Sequence, residues 1–298
     1  MRGADHPRIR PDPEVRAGKI KRLIMDIAPD TLPPLTPLPK PMAFRLGVTS
    51  YVYPADIVTN IRRLAPVVDD IEVVFFESSD ASNFPTPDDI DEWRGLAASH
   101  DLTFTIHFPI DKALGSPDPA ERDACLNVIL RLIKLCSPLN PHGWILHLEG
   151  IEASATPARV RQWQQDLAPL LRVIAGIVDD PRRVCVENLG YPFEWCEPML
   201  ATMPFSICLD FGHLWQMNYD WKAHLRHWLP RTRIMHLYGS DNSSRHYSLE
   251  RAPIPLVREA LHAIDNYTGV LTLETFGYDD TASSLKRLGA CIGEGNRG

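Results

Sequence analysis

Eight short apolar runs recur along the chain roughly 20 to 40 residues apart, and six of them close on a metal-competent side chain: TFTIHFP, WILHLEG, VCVENLG, SICLDFGH, RIMHLYG and LTLETFG. Side chains alternate faces along a strand, so a fixed phase predicts which residues converge. Ile106, Leu146, Val186, Leu209, Met235 and Leu273 are apolar and suit a face covered by helices. Their neighbours His107, His147, Glu187, Asp210, His236 and Glu274 then share the opposite face, each near the C-terminal end of its strand. Two positions earlier on that face stand Thr105, Ile145, Cys185, Cys208, Ile234 and Thr272, of a size to fill a barrel interior beneath a site.

This phase predicts strands over 45–50, 70–76, 103–108, 143–148, 183–188, 206–211, 233–238 and 270–275. Between them, Thr86-Pro87 and Thr156-Pro157 each pair a capping residue with proline at the first helical position, which starts helices over 86–100 and 156–178. Further helices fall near 55–66, 118–136, 253–265 and 280–291, with short ones at 191–201 and 219–228. Eight strand and helix pairs in about 250 residues predict an α/β protein with a single (β/α)8 TIM barrel over residues 43–298. A doubly wound open sheet is the alternative, but it would not bring the ends of strands 3 and 8 together.

The first 42 residues differ from the rest. A basic stretch with Arg16, Lys19, Lys21 and Arg22 leads into a proline-rich segment from Pro29 to Pro41, so residues 1–42 are expected to form an extension with a stiff linker. Ile20, Leu23, Ile24 and Ile27 would line one face of a short helix there. With 44% hydrophobic residues in 298, the chain can bury a large core. A formal net charge of −7 disfavours nucleic acid as a partner, because polyphosphate binders present a basic face. The six cysteines form no CxxC pair, which fits reduced thiols and a cytoplasmic setting, and no run suggests a secretory signal or a membrane span. Nothing in the sequence fixes an oligomeric state.

Three imidazoles and three carboxylates on one face would carry a severe desolvation cost without a cation or an extensive hydrogen-bond network. Mixed imidazole and carboxylate donors suit zinc, manganese, iron or cobalt better than calcium or magnesium. His213, three residues after Asp210, and His246, in the loop after strand 7, extend the set. With neutral imidazoles the six residues sum to −3, so two divalent ions would leave +1 toward an anionic substrate. Arg245 and Lys112 lie in loops at the same end and are candidate phosphate contacts. Among the aromatic residues there, Tyr51 and Trp215 are candidates to meet a planar substrate.

The order of these residues resembles the xylose isomerase-like barrel superfamily, and within it the endonuclease IV branch of metal-dependent phosphodiesterases. The resemblance covers about residues 44–292 and runs through His107, His147, Glu187, Asp210-x-x-His213, His236, His246 and Glu274. It implies one metal on His107, His147 and Glu187, and a second that Glu187 shares with Asp210, His236 and Glu274. Glu187 and Glu274 would be the catalytic pair. Ser244 stands where the branch has a metal-binding aspartate, which leaves a third site with His213 and His246, unless Asp241 completes it.

A narrower resemblance lies in residues 46–77 and in IHFPID at 106–111, which are similar to the cobamide-remodelling phosphodiesterases. It implies hydrolysis of the nucleotide-loop phosphodiester of a vitamin B12-type cofactor to cobinamide and a ribazole-type phosphate. Two cations on a phosphodiester can lower the pKa of a bound water and stabilise the leaving alkoxide. Three rivals are weighed against this reading. A one-metal sugar isomerase or epimerase would need only Glu187, Asp210, His236 and Glu274. An abasic-site nuclease would need a basic DNA-binding face. A non-catalytic metabolite-binding barrel would have no use for a full set of metal donors.

Overall fold

The computed structural model describes residues 32–39, 42–78, 82–240 and 245–295. All eight predicted strands are present: β1 Arg45–Thr49, β2 Asp70–Val74, β3 Thr103–His107, β4 Gly143–Leu146, β5 Val184–Glu187, β6 Ser206–Asp210, β7 Thr232–Leu237 and β8 Val270–Leu273. They pair in parallel in sequence order, and β8 closes on β1 to complete the barrel.

Among the described residues the α-helices are α1 Ile57–Leu64, α2 Pro87–His100, α3 Pro119–Cys136, α4 Pro157–Ile177, α5 Glu197–Leu200, α6 Phe211–Gln216, α7 Trp221–Trp228, α8 Ile254–Ala263 and α9 Tyr278–Gly295. The two starts read from the sequence behave as expected. Thr86 and Asp89 form a reciprocal capping box on α2, and the Thr156 hydroxyl accepts from Arg159 N–H at the head of α4. α6 follows β6 with no intervening loop. Asp210 caps it by accepting the His213 N–H at 2.7 Å, so the chain enters a helix directly from the strand.

The alternation of faces holds along the barrel. Ile106, Leu146, Val186, Leu209, Met235 and Leu273 join the layer between strands and helices, while Ile145, Cys185, Cys208, Ile234 and Val270 form a separate cluster inside the barrel. Gly143 makes room for that plug, since a Cβ there would come within 2.6 Å of the Ile234 side chain. All six cysteines are buried and free.

The proline-rich segment is more than a linker. Leu35 is buried, its N–H donates to the Tyr53 hydroxyl at 3.1 Å, and Leu38 packs on the core beside Gly289 of α9. Burial of Leu35 and partial burial of Leu38 hold residues 32–39 to the barrel wall. The expected helical face of Ile20, Leu23, Ile24 and Ile27 lies outside the described residues. Among the described residues, no helix is long and apolar enough to cross a membrane.

Candidate metal centre

The six run-end residues meet at the C-terminal mouth of the barrel. His107, Glu187 and Asp210 are the last residues of β3, β5 and β6, His236 lies one residue inside β7, and His147 and Glu274 follow β4 and β8 directly. Five are almost fully buried, and His147 keeps 12% side-chain exposure. Their polar atoms converge on Glu187. Its Oε2 lies 3.0 Å from His147 Nε2 and 3.7 Å from His107 Nε2. Its Oε1 lies 3.6 Å from both His236 Nδ1 and His213 Nε2. His236 Nδ1 is also 3.0 Å from Glu274 Oε2 and 3.6 Å from Asp210 Oδ2.

Local structure aims each donor. The His107 Nδ1 lies 2.8 Å from the Phe108 carbonyl oxygen, which can only accept, so Nδ1 carries the proton and Nε2 faces the cluster. Asp210 uses Oδ1 to cap α6 and leaves Oδ2 for the site. Asn188 clamps the same strand end, accepting from Asp210 N–H at 2.7 Å and donating to its carbonyl at 3.0 Å. His147 Nδ1 lies 3.3 Å from Glu149 Oε1.

His246 joins the mouth from the loop after β7. Its ring stacks on Tyr238 with centroids 3.9 Å apart, and its Nδ1 is 3.3 Å from Glu274 Oε2. Tyr238 in turn lies over Gly212, where a Cβ would clash with the phenol ring at 2.2 Å, so only glycine permits this stack.

Among the described residues two adjoining donor groups could hold a cation here, His107, His147 and Glu187, and next to it Glu187, Asp210, His236 and Glu274, and two further groups overlap them, Glu72, His107 and Glu274, and Glu187, Cys208 and His236. His107 Nε2, Asp210 Oδ2, His236 Nδ1 and Glu274 Oε2 are all buried without a hydrogen-bond partner. Buried polar atoms in native folds rarely stay unpaired, so this donor set fits divalent metal ions.

The electrostatics agree. Burial opposes charge on Glu187, but His147 and His236 outweigh it and hold the carboxyl well below its ordinary range. Burial also opposes charge on His147, yet Glu187 and Glu149 lift its imidazole to about 10. Glu274, where burial is only partly offset by His236, is pushed up to about 8. Closely set carboxylates and imidazoles that share protons in this way are poised to exchange them for metal.

The run-end reading misses one residue of the cluster. Glu72 lies in the middle of β2, where the sequence Asp70-Ile71-Glu72-Val73 alternates in the same phase as the other strands. It is fully buried one layer below His107, pairs in register with Thr105, and brings Oε2 to 3.0 Å from His236 Nε2. The signal was present, but it falls inside a run rather than at its end. With Glu72 the mouth holds four carboxylates, so the formal charge with neutral imidazoles is −4 and two divalent ions neutralise it. This corrects the +1 expected from the sequence.

The other candidates sit at the margin. The Tyr51 hydroxyl accepts from Asn83 at 2.6 Å, and burial pushes its pKa to about 12. Trp215 packs against Phe211 on α6, with ring centroids 5.7 Å apart and the rings tilted by 41°. The Arg245 guanidinium lies over the Tyr247 ring, 4.8 Å from its centroid, and Lys112 is half-buried in the loop after β3. Tyr51, Trp215 and Lys112 show no polar contact with the donor cluster among the described interactions. Asp241 and Ser244 lie outside the described residues. A cavity of about 1080 Å³ at the opposite mouth, near His142, Arg231 and Arg233, touches none of the donors.

The chain belongs to the xylose isomerase-like TIM barrel family, whose description matches residues 68–291. Solved structures with the same fold include a D-tagatose 3-epimerase-like protein, at 17% identity and a TM-score of 0.70, covering 85% of this chain and 98% of that one. Endonuclease IV from Thermus thermophilus matches at 20% identity and a TM-score of 0.63, covering 84% of this chain and 99% of that one. The 3-keto-D-glucoside 4-epimerase of E. coli matches at 15% identity and a TM-score of 0.64, covering 84% and 99%. No curated protein matches the sequence. Identities this low speak for the fold alone.

Proposed function

We propose that the protein is a metal-dependent phosphodiesterase that hydrolyses the nucleotide-loop phosphodiester of cobamides, giving cobinamide and a ribazole-type phosphate. The supporting observation is that His107 and His147 converge on the Glu187 oxygen facing away from His236, which makes a second donor group beside the Glu187, Asp210, His236 and Glu274 set. A one-metal centre has no use for that group. Two bound divalent ions, zinc, manganese, iron or cobalt, would supply Lewis acidity toward a phosphoryl oxygen and activate water.

The residues divide the remaining work. Glu187 would bridge the two positions, as the spread of its neighbours over both carboxylate oxygens suggests. His107 and His147 would hold one ion, and Asp210, His236 and Glu274 the other. Glu274 is the carboxyl pushed up to about 8, and His246 beside it offers a partner for proton exchange. His213 would reach the shared edge of Glu187 and Asp210 from α6. The cluster is neutral once two divalent ions are bound, so phosphate attraction would come from the ions themselves and from Arg245 or Lys112, with Tyr51 and Trp215 near a planar substrate. The corrinoid rests on the resemblance of residues 46–77 and 106–111.

A second reading has its own support. Glu187, Asp210, His236 and Glu274 bring their ligand atoms within 4.8 Å of one another, the set a one-metal sugar epimerase would need. Metal counting and product analysis separate the two. The metal-reconstituted protein is expected to hold two or more ions per chain and to release cobinamide from an adenosylated cobamide, read by mass spectrometry. One ion, an intact cobamide and interconversion within a sugar panel would transfer the assignment to an epimerase. Salt-sensitive cleavage of abasic DNA would instead favour the nuclease branch.

A further inference from the structure

Each buried imidazole at the mouth presents one ring nitrogen to the donor cluster and has an oxygen at the other. His107 turns Nδ1 to the Phe108 carbonyl, and His147 turns Nδ1 to Glu149. His236 is reversed. Its Nδ1 faces Glu274, Asp210 and Glu187, and its Nε2, on the barrel side of the ring, lies 3.0 Å from Glu72 Oε2 in a close contact whose geometry falls short of a hydrogen bond.

Both side chains of that pair are fully buried. Glu72 comes from β2, while His236 is on β7, so the contact crosses the barrel interior beneath the cluster. A carboxylate enclosed in this way is costly unless a donor meets it. His236 Nε2 is the one ring nitrogen paired with it within 4.0 Å among the described residues.

We propose that Glu72 is a positioning residue: a small turn of the His236 ring closes this contact into a hydrogen bond from Nε2–H to Glu72, which fixes the ring's orientation and reserves Nδ1 for the ion shared with Glu187, Asp210 and Glu274. This rests on the reading of His236 as a metal ligand. Carboxylates behind metal-bound imidazoles commonly act in this way, and losing one weakens metal affinity by about 10- to 100-fold.

The test follows the Nε2–H proton and metal affinity separately. Protein with 15N-labelled histidine is examined by NMR in the metal-free and zinc-loaded forms, and zinc affinity is measured by competition with a chromophoric chelator. In the unaltered protein the His236 Nε2–H is expected downfield and slow to exchange in both forms. Glu72→Leu is expected to lose that signal and to weaken one zinc ion about 10- to 100-fold, leaving the other in place. Glu72→Gln keeps an acceptor oxygen, so it should retain the signal and most of the affinity.

The proposal is overturned if the Nε2 proton exchanges like that of a free imidazole in the unaltered protein. It is also overturned if Glu72→Leu preserves both signal and affinity, or if Glu72→Gln releases a whole zinc ion, which would make Glu72 itself a ligand. Should the protein bind no zinc, the metal reading fails, while the metal-free NMR still decides whether Glu72 holds His236. A Glu72→Leu chain that does not fold leaves the decision to the unaltered protein and Glu72→Gln.

Discussion

The two halves of the barrel interior are built on opposite principles. β4 to β8 contribute Ile145, Cys185, Cys208, Ile234 and Val270, a closed apolar plug. β1 to β3, joined by Thr272 of β8, contribute Thr49, Asp70, Glu72, Thr105 and Thr272, all fully buried. On that side Asp70 Oδ1, both Glu72 oxygens and the Thr105 and Thr272 hydroxyls have no hydrogen-bond partner. Burial pushes the Asp70 carboxyl up to about 7 even though Thr103 donates to it at 2.6 Å. The apolar half resists deformation because its atoms are close-packed. The polar half gives up stability and in return carries Glu72 to the underside of the donor cluster. Support for a site therefore comes from both: rigidity from one side, oriented charge from the other.

Four substitutions break or sharpen this contrast. Glu187→Gln, where the two candidate metal positions meet, should cut kcat by about a thousandfold or more, about 4 kcal/mol of transition-state stabilisation, while circular dichroism reports an unchanged fold. Normal turnover by that variant would contradict the bridging role.

Ile234→Ala removes volume from the centre of the plug and should cost about 2–4 kcal/mol of unfolding free energy in urea, with zinc stoichiometry retained. A loss below about 1 kcal/mol, on the scale of an exposed site, would mean that the plug is not the rigid half.

Thr272→Val should act in the opposite sense, since it deletes a buried hydroxyl with no hydrogen-bond partner. A gain of up to about 1 kcal/mol is expected. A loss of that size would show instead that ordered water fills the polar half.

The last test is read as a slope against pH and concerns the other mouth. His142 precedes β4 and His147 follows it, yet their imidazoles shift in opposite directions. Burial, helped by Arg233, lowers His142 to about 4. The unfolded chain binds this proton near 6.5 and the folded chain only near 4, so the contribution to stability is present above pH 6.5 and is lost as pH falls through 4. His142→Asn should flatten that part of the stability profile, followed by thermal melts between about pH 7 and 4. An unchanged slope would place the acid sensitivity in other groups.

Much of this was legible along the chain because strands impose a period of two. That period sorted Ile106, Leu146 and Val186 from His107, His147 and Glu187, and the Thr-Pro starts marked α2 and α4. Glu72 escaped because the role of a residue in mid-strand is set by its depth in the barrel, which depends on register with β3 and not on where a run ends. Glu149 and Asn188 escaped for a related reason. Their partners, the His147 imidazole and the backbone of Asp210, become neighbours only once the barrel closes. The docking of Leu35 on the wall was hidden inside a composition that reads as a linker.

The sequence by itself determined the eight strands, the face each donor occupies and the end of the barrel where donors gather, because these follow from local alternation and capping. Only the tertiary structure decided which atoms meet. The direction of each imidazole, the division of Asp210 between a helix cap and the site, and the reach of Glu72 across the interior all depend on barrel closure and strand stagger. Those are properties of eight segments held together, and no single segment encodes them.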